Sequence, residues 1–163
     1  MARSVFETLS VLVVDDSKHM RNLLSGLLRA LGVGDITVAG DGEEAWSQYL
    51  HHKPDVVITD AAMQPMDGFV LARRLRDADS RDLGRIPIIM VSAHSELSAV
   101  EKARDVGISE FICKPISARL LYERLVAVVN RPREFVGGGA FAASRRESMA
   151  LDGASISNAV AFL

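Results

Sequence analysis

The chain has 163 residues, which is enough for one domain of ordinary size with some residues to spare. Hydrophobic residues make up 48% and charged residues 25%, as in most globular proteins, and a formal net charge of −2 argues against a general nucleic-acid binder. The single cysteine, Cys113, excludes an internal disulfide, and no Cys/His spacing indicates a zinc site. Because no apolar run suits a signal peptide or a membrane span, we expect a cytoplasmic protein without membrane insertion.

Short β-branched runs alternate with amphipathic stretches along most of the chain. The predicted strands are residues 10–14, 36–39, 56–59, 88–91 and 110–113. The predicted helices are residues 18–31 behind a Ser17 cap, 43–51, 69–76, 96–105 behind a Ser95 cap, and 118–129 behind a Ser117 cap. In the first helix an apolar stripe recurs with a period of 3.6, at Met20, Leu23, Leu24, Leu27, Leu28 and Leu31. Five such alternations with short connections predict an α/β three-layer sandwich on a doubly wound parallel sheet.

Polar side chains stand where four of the predicted strands end. Asp15 and Asp16 follow the first strand, and Asp60 follows the Val-Val-Ile-Thr run of the third. Ser92 ends the fourth strand and Lys114 ends the fifth. The carboxyl ends of parallel strands share one edge of a sheet, so these groups are expected to converge there.

The chemistry of this set points to phosphoryl transfer. Three crowded carboxylates repel one another unless a cation is present, and Mg²⁺ is a hard ion that prefers oxygen ligands. The lysine supplies a positive charge for a phosphoryl group and the serine supplies a hydroxyl donor. Together with a carboxylate nucleophile, these are the parts needed to transfer a phosphoryl group to Asp60.

Five segments in this order resemble the receiver domains of response regulators, of the CheY-like kind. They are VLVVDD ending at Asp16, VVITD ending at Asp60, PMDG from Pro65, IIMVSAH with Ser92, and EFICKP with Lys114. The resemblance covers residues ~9 to 130, and it is the combination that is specific, since each piece alone is common. It implies a CheY/flavodoxin-like (βα)5 fold with strand order 2-1-3-4-5.

The resemblance also implies a role for each matching residue. Asp60 is expected to accept a phosphoryl group, while Asp16, Asp60 and the backbone carbonyl of Ala62 hold Mg²⁺ and Asp15 positions metal-bound water. Ser92 and Lys114 are expected to bind phosphoryl oxygens. Phe111 matches the aromatic position that responds to the serine, although strand aromatics often only pack in a core. The Lys114–Pro115 bond is expected to be cis.

The chain departs from the family pattern in the loop that follows Asp60. The usual proline position is occupied by Gln64, and Pro65 follows it, which predicts a slightly different backbone path near Ala62. Ala62 and His94 occupy the positions that modulate the lifetime of the phosphorylated state, and their identities leave that lifetime open.

The resemblance implies a stand-alone, single-domain response regulator of a two-component phosphorelay. Residues 1–130 form the receiver, and residues 131–163 are interpreted as a partly packed or flexible extension, too short for a separate output or DNA-binding domain. The implied phosphodonor is a histidine kinase or a histidine phosphotransfer protein. The output is expected to be a protein–protein contact through the fourth helix, fifth strand and fifth helix, with the target unknown. The chain would be no enzyme beyond its own phosphorylation and dephosphorylation.

Other functions stay open at this point. The same chain could act as a phosphate sink or a relay intermediate. A phospho-aspartyl hydrolase would need a second carboxylate where Ala62 stands, and a dinucleotide-binding enzyme would need a third glycine after Gly32 and Gly34. A module that senses a small anionic ligand could use the arginines near the end of the chain, which are Arg131, Arg133, Arg145 and Arg146.

Overall fold

The computed structural model describes residues 4–78, 86–94 and 96–131. Within them the elements are β1 (Ser10–Val14), α1 (Lys18–Ala30), β2 (Asp35–Ala39), α2 (Gly42–His52), β3 (Val56–Asp60), α3 (Gly68–Ala78), β4 (Ile88–Ser92), α4 (Leu97–Asp105), β5 (Glu110–Cys113) and α5 (Ala118–Val129). The strands are all parallel and lie in the order β2-β1-β3-β4-β5. The predicted α/β sandwich and its strand order are confirmed.

The alternation of side chains along each strand builds two hydrophobic layers. One layer joins Leu12, Val57 and Met90 to helices α2, α3 and α4, and the other joins Val56 and Ile58 to α1 and α5. Every residue of β3 and β4 is buried, because helices cover both faces of the sheet. The sheet is therefore a rigid platform, and polar groups reach water only at its edges and ends.

Two of the three predicted serine caps are found at the starts of their helices, and the third prediction is wrong. Ser17 and Ser117 cap α1 and α5 as predicted, each accepting a hydrogen bond from the backbone three residues on. The prediction that Ser95 caps α4 is wrong: the helix begins at Leu97 and Glu96 holds the cap position without a side-chain hydrogen bond. Ser95 itself lies outside the described residues.

The buried face of α1 is narrower than the apolar stripe of leucines in the sequence suggests. Leu24 and Leu28 are buried, but Leu23 keeps 40% of its surface exposed. The sheet meets this helix along one line, so a leucine one position away from that line lies at the rim.

The start of the predicted extension is fixed to the body of the domain. Arg131 donates to the backbone carbonyl of Ser109 and to the buried carboxylate of Glu110. The remainder of the extension, with Arg133, Arg145 and Arg146, lies outside the described residues. In the part of the chain that the structure describes, no helix is long and apolar enough to cross a bilayer.

Gly68 is the residue on which the turn from β3 into α3 depends. A Cβ there would lie 2.1 Å from the backbone oxygen of Asp60, whereas a Cβ on Gly26 in α1 would meet nothing within 4 Å. We expect Gly68→Ala to lower the free energy of unfolding by about 3 kcal/mol, because the obstructing atom is backbone. Gly26→Ala is the control and is expected to raise it by about 1 kcal/mol. Urea unfolding measures both, and a Gly68→Ala protein as stable as wild type would contradict this packing.

Candidate functional site

Backbone hydrogen bonds just beyond the strands hold the site residues in register. The Asp15 amide donates to Ala39 at 3.1 Å, and the Lys114 amide donates to Ser92 at 2.8 Å. The Ala61 amide, directly after Asp60, donates to Val91 on the neighbouring strand. The polar residues that follow the strands are thus fixed by the sheet itself, at its carboxyl edge.

The three aspartates converge at this edge as the sequence predicts. One carboxylate oxygen of each of Asp15, Asp16 and Asp60 lies within 4.8 Å of the others. Asp15 and Asp60 are buried, whereas Asp16 is exposed. The Lys114 ammonium lies 3.2 Å from Asp60 Oδ1 and 3.9 Å from Asp15 Oδ2. Three carboxylates therefore face one ammonium group.

Burial raises the pKa of both inner carboxyls above the usual aspartate value. For Asp60, desolvation is the main cause, opposed by the charge and hydrogen bond of Lys114 and reinforced by the charge of Asp16. For Asp15, desolvation again dominates and the nearby charge of Asp60 adds to it, while a hydrogen bond from the Ser17 amide opposes both. When all three carboxylates are ionised, the one positive charge of Lys114 therefore does not balance them.

The arrangement fits a magnesium ion. Asp15 Oδ1 accepts a hydrogen bond from the Ser17 amide at 2.8 Å, but Asp15 Oδ2 is buried without a hydrogen-bond donor among the described residues. A buried carboxylate oxygen in that state costs free energy unless a cation or water meets it. An all-oxygen set of this charge suits Mg²⁺ better than a softer transition metal.

Ser92 and Phe111 lie on the two strands nearest to Lys114. Ser92 is buried, and its hydroxyl oxygen accepts a hydrogen bond from the His94 amide at 3.0 Å. Phe111 is fully buried and pairs in register with Met90 of β4. The Lys114–Pro115 peptide bond is cis, the geometry that the resemblance implies.

The loop after Asp60 borders an open groove. The groove has a volume of about 780 Å³, and the residues that line it include Asp16, Ala62, Ser92, His94 and Lys102. Ala62 and His94 both line this groove and are exposed. The Gln64–Pro65 bond is also cis, at the place where the sequence departs from the family pattern.

The sequence analysis did not identify one residue that contacts this site. The Arg21 guanidinium donates to the backbone carbonyl of Asp15 at 2.7 Å, so it holds the segment that carries the aspartates. Arg21 lies one turn into α1, after the Ser17 cap, and this position indicates that its side chain is near the end of β1. The sequence alone does not show which acceptor an arginine reaches.

Comparison with known proteins gives one consistent result. The family model for the response regulator receiver domain matches residues 11–126. The chemotaxis protein CheY1 of Helicobacter pylori is 36% identical over 122 residues, covering 74% of this chain and 97% of its own, and CheY of Pseudomonas aeruginosa is 32% identical over 123 residues, covering 76% and 98%. The crystal structure of the CheX–CheY–BeF3–Mg complex from Borrelia burgdorferi matches with a TM-score of 0.72 and 27% identity, over 80% of this chain and all of that one.

The raised pKa of Asp60 gives a testable dependence of stability on pH. The folded protein binds a proton at a higher pH than the unfolded chain, so stability falls as pH rises from about 4 through the folded pKa. We expect Asp60→Asn to stabilise the protein in EDTA at pH 7 by about 1 kcal/mol, the ordinary size of a single-residue effect. The gain should vanish near pH 3.5, where both states are protonated. Urea unfolding of the two proteins across this range measures it, and a destabilised variant at pH 7 would contradict the assigned shift.

Proposed function

We propose that Asp60 accepts a phosphoryl group from a histidine kinase or a histidine phosphotransfer protein, because the chain belongs to the response regulator receiver domain family. The chain is a CheY-like receiver of two-component signalling. The observation that carries the finer proposal is the meeting of Asp60 with Lys114 and two further carboxylates at one edge of the sheet.

The proposed reaction is a displacement at phosphorus by a carboxylate oxygen of Asp60. A new O–P bond forms, the N–P bond of the phosphohistidine breaks, and its electron pair stays on the imidazole nitrogen. The nucleophile must be ionised, which burial of Asp60 opposes and the Lys114 ammonium favours. A cation on the neighbouring carboxylates would favour it further.

The residues proposed to hold Mg²⁺ are Asp15, Asp16 and Asp60, with the backbone carbonyl of Ala62. When bound, the ion supplies positive charge against the transferring phosphoryl oxygens. Asp16 is exposed to solvent and to a phosphodonor. Among the described residues no hydrogen-bond donor meets Oδ2 of the buried Asp15, so this oxygen is available to a bound ion or its water. Asp60 would thus serve both as ligand and as nucleophile.

Two further side chains are proposed to bind the phosphoryl oxygens. Lys114 already contacts Asp60 Oδ1 and needs little movement to contact a phosphoryl group attached there. Ser92 would donate its hydroxyl, whose oxygen accepts a hydrogen bond from the His94 amide. Both groups are held by the bond between the Lys114 amide and the Ser92 carbonyl, so they approach the phosphoryl group together.

The proposed output is a population shift and not a new fold. Phe111 is buried here, and a Ser92 hydroxyl held by the phosphoryl group would favour this inward position over an outward one. The face formed by α4, β5 and α5 would then present a different surface to a protein target. Ala62 and His94, which line the groove, would set how quickly water removes the phosphoryl group.

In this proposal the protein catalyses only its own phosphorylation and dephosphorylation, and it acts through proteins and not through DNA. A cytoplasmic setting accords with the free, buried thiol of Cys113.

Incubation with acetyl phosphate and Mg²⁺, read by intact mass, tests the acceptor. We expect the wild-type protein to gain the mass of one phosphoryl group, and Asp60→Asn to gain none. Asp67→Asn is the matched control, since Asp67 lies in the same loop and asparagine preserves its cap on the Val70 amide. A wild-type protein that gains no phosphoryl mass would refute the function, and a labelled Asp60→Asn protein would refute the assignment.

Lys114→Met tests the contribution of the ammonium group. Removing one charged donor aimed at the transferring group is expected to slow phosphorylation about 100-fold. Lys102→Met is the control, because Lys102 lines the far part of the same groove and lies over the Phe69 ring. Rates come from the same mass assay at saturating Mg²⁺, and a Lys114→Met protein that reacts at the wild-type rate would contradict the role.

A further inference from the structure

Arg21 connects two loops at the edge of the sheet that carries Asp60. Its backbone lies in the first turn of α1, where the Arg21 amide donates to Ser17. Its side chain turns back toward the preceding loop, and Nη1 donates to the Asp15 carbonyl at 2.7 Å. A charged donor on a carbonyl is among the stronger hydrogen bonds in a protein.

The same guanidinium lies over the end of β2. A Cβ placed on Gly40 would be 3.4 Å from Arg21 Nη1 and equally far from Glu44 Oε2, which accepts the Gly40 amide at 2.7 Å. The Asp15 amide in turn donates to Ala39, the last residue of β2. Asp15 is therefore held by both of its backbone groups, one bonded to β2 and the other to Arg21.

We infer that Arg21 is a positioning residue for the cation site: its hydrogen bond to the Asp15 carbonyl holds the Asp15–Asp16 segment where the carboxylates meet that of Asp60. This inference rests on the proposed magnesium site. Arg21 itself donates to backbone and is not placed among the groups that contact the ion or the phosphoryl group.

Electrostatics and positioning predict opposite results when Arg21 is replaced. Arg21 carries a positive charge on the Asp15 carbonyl, so its removal makes the surroundings of the carboxylates more negative, and charge alone predicts tighter Mg²⁺ binding. Loss of the hydrogen bond frees the Asp15 carbonyl, and the carboxylates must then be brought together against their mutual repulsion at the cost of binding energy. A weaker affinity would therefore report the positioning role.

The experiment measures the dissociation constant of Mg²⁺ by isothermal titration calorimetry for wild type, Arg21→Met and Arg21→Lys. Arg29→Met is the control, since Arg29 is an exposed arginine in the last turn of the same helix. We expect Arg21→Met to bind Mg²⁺ about tenfold more weakly, the effect of losing one hydrogen bond made by a charged donor. Arg21→Lys, which keeps a donor, should lie between Arg21→Met and wild type, and Arg29→Met should match wild type.

A second measurement separates positioning from general damage to the fold. The rate of phosphorylation by acetyl phosphate is followed against Mg²⁺ concentration. Arg21→Met should need more Mg²⁺ for half of the maximal rate, yet approach the wild-type rate at saturation. A lower maximal rate with an unchanged half-saturation point would overturn the inference.

The remaining outcomes are also decisive. Equal or tighter Mg²⁺ binding by Arg21→Met refutes the positioning role, and so does equal weakening in the Met and Lys variants, which would assign the effect to packing. If Arg21→Met does not fold, Arg21→Lys alone carries the test, with weaker binding expected and wild-type binding contradictory. A wild-type protein that binds no Mg²⁺ refutes the proposed function itself, which is a different result.

Discussion

Two buried carboxylates and one exposed carboxylate face a single ammonium group at the carboxyl edge of the sheet. This imbalance of charge is costly, since burial raises the pKa of both Asp15 and Asp60 and Lys114 offsets only part of the repulsion. In the proposed function, a cation bound among these carboxylates would offset part of their repulsion.

The sheet makes such crowding tolerable. Parallel strands covered by helices on both faces give a rigid base, and the hydrogen-bond ladder continues one residue past the strands at Asp15, Ala61 and Lys114. The charged residues are thus held by backbone that cannot relax without breaking the ladder. Gly68 contributes in the same way, since its missing side chain lets α3 begin directly against the Asp60 carbonyl.

Much of this edge could be predicted from the sequence, because strand runs and strand ends are local features. The Val56–Thr59 run and its terminal Asp60 could be placed without coordinates, and so could the convergence with Lys114. The bond from Arg21 to Asp15 could not, since an arginine reaches many acceptors and only packing selects one. The prediction of a Ser95 cap was wrong for a related reason: several residues suit a cap, and tertiary contacts choose among them. Likewise the period of the apolar stripe in α1 does not show that Leu23 keeps 40% of its surface exposed.

The central claim is that Asp60 is the group to which a phosphoryl group attaches, within a site completed by Mg²⁺. A crystal structure of the protein with Mg²⁺ and beryllofluoride, a stable phosphoryl mimic, tests it most directly. We expect beryllium bonded to a carboxylate oxygen of Asp60, fluorines in contact with Lys114 and Ser92, and the metal on Asp15, Asp16 and Asp60. Beryllofluoride on another residue, or an Asp60 that stays unmodified beside a bound metal, would contradict it.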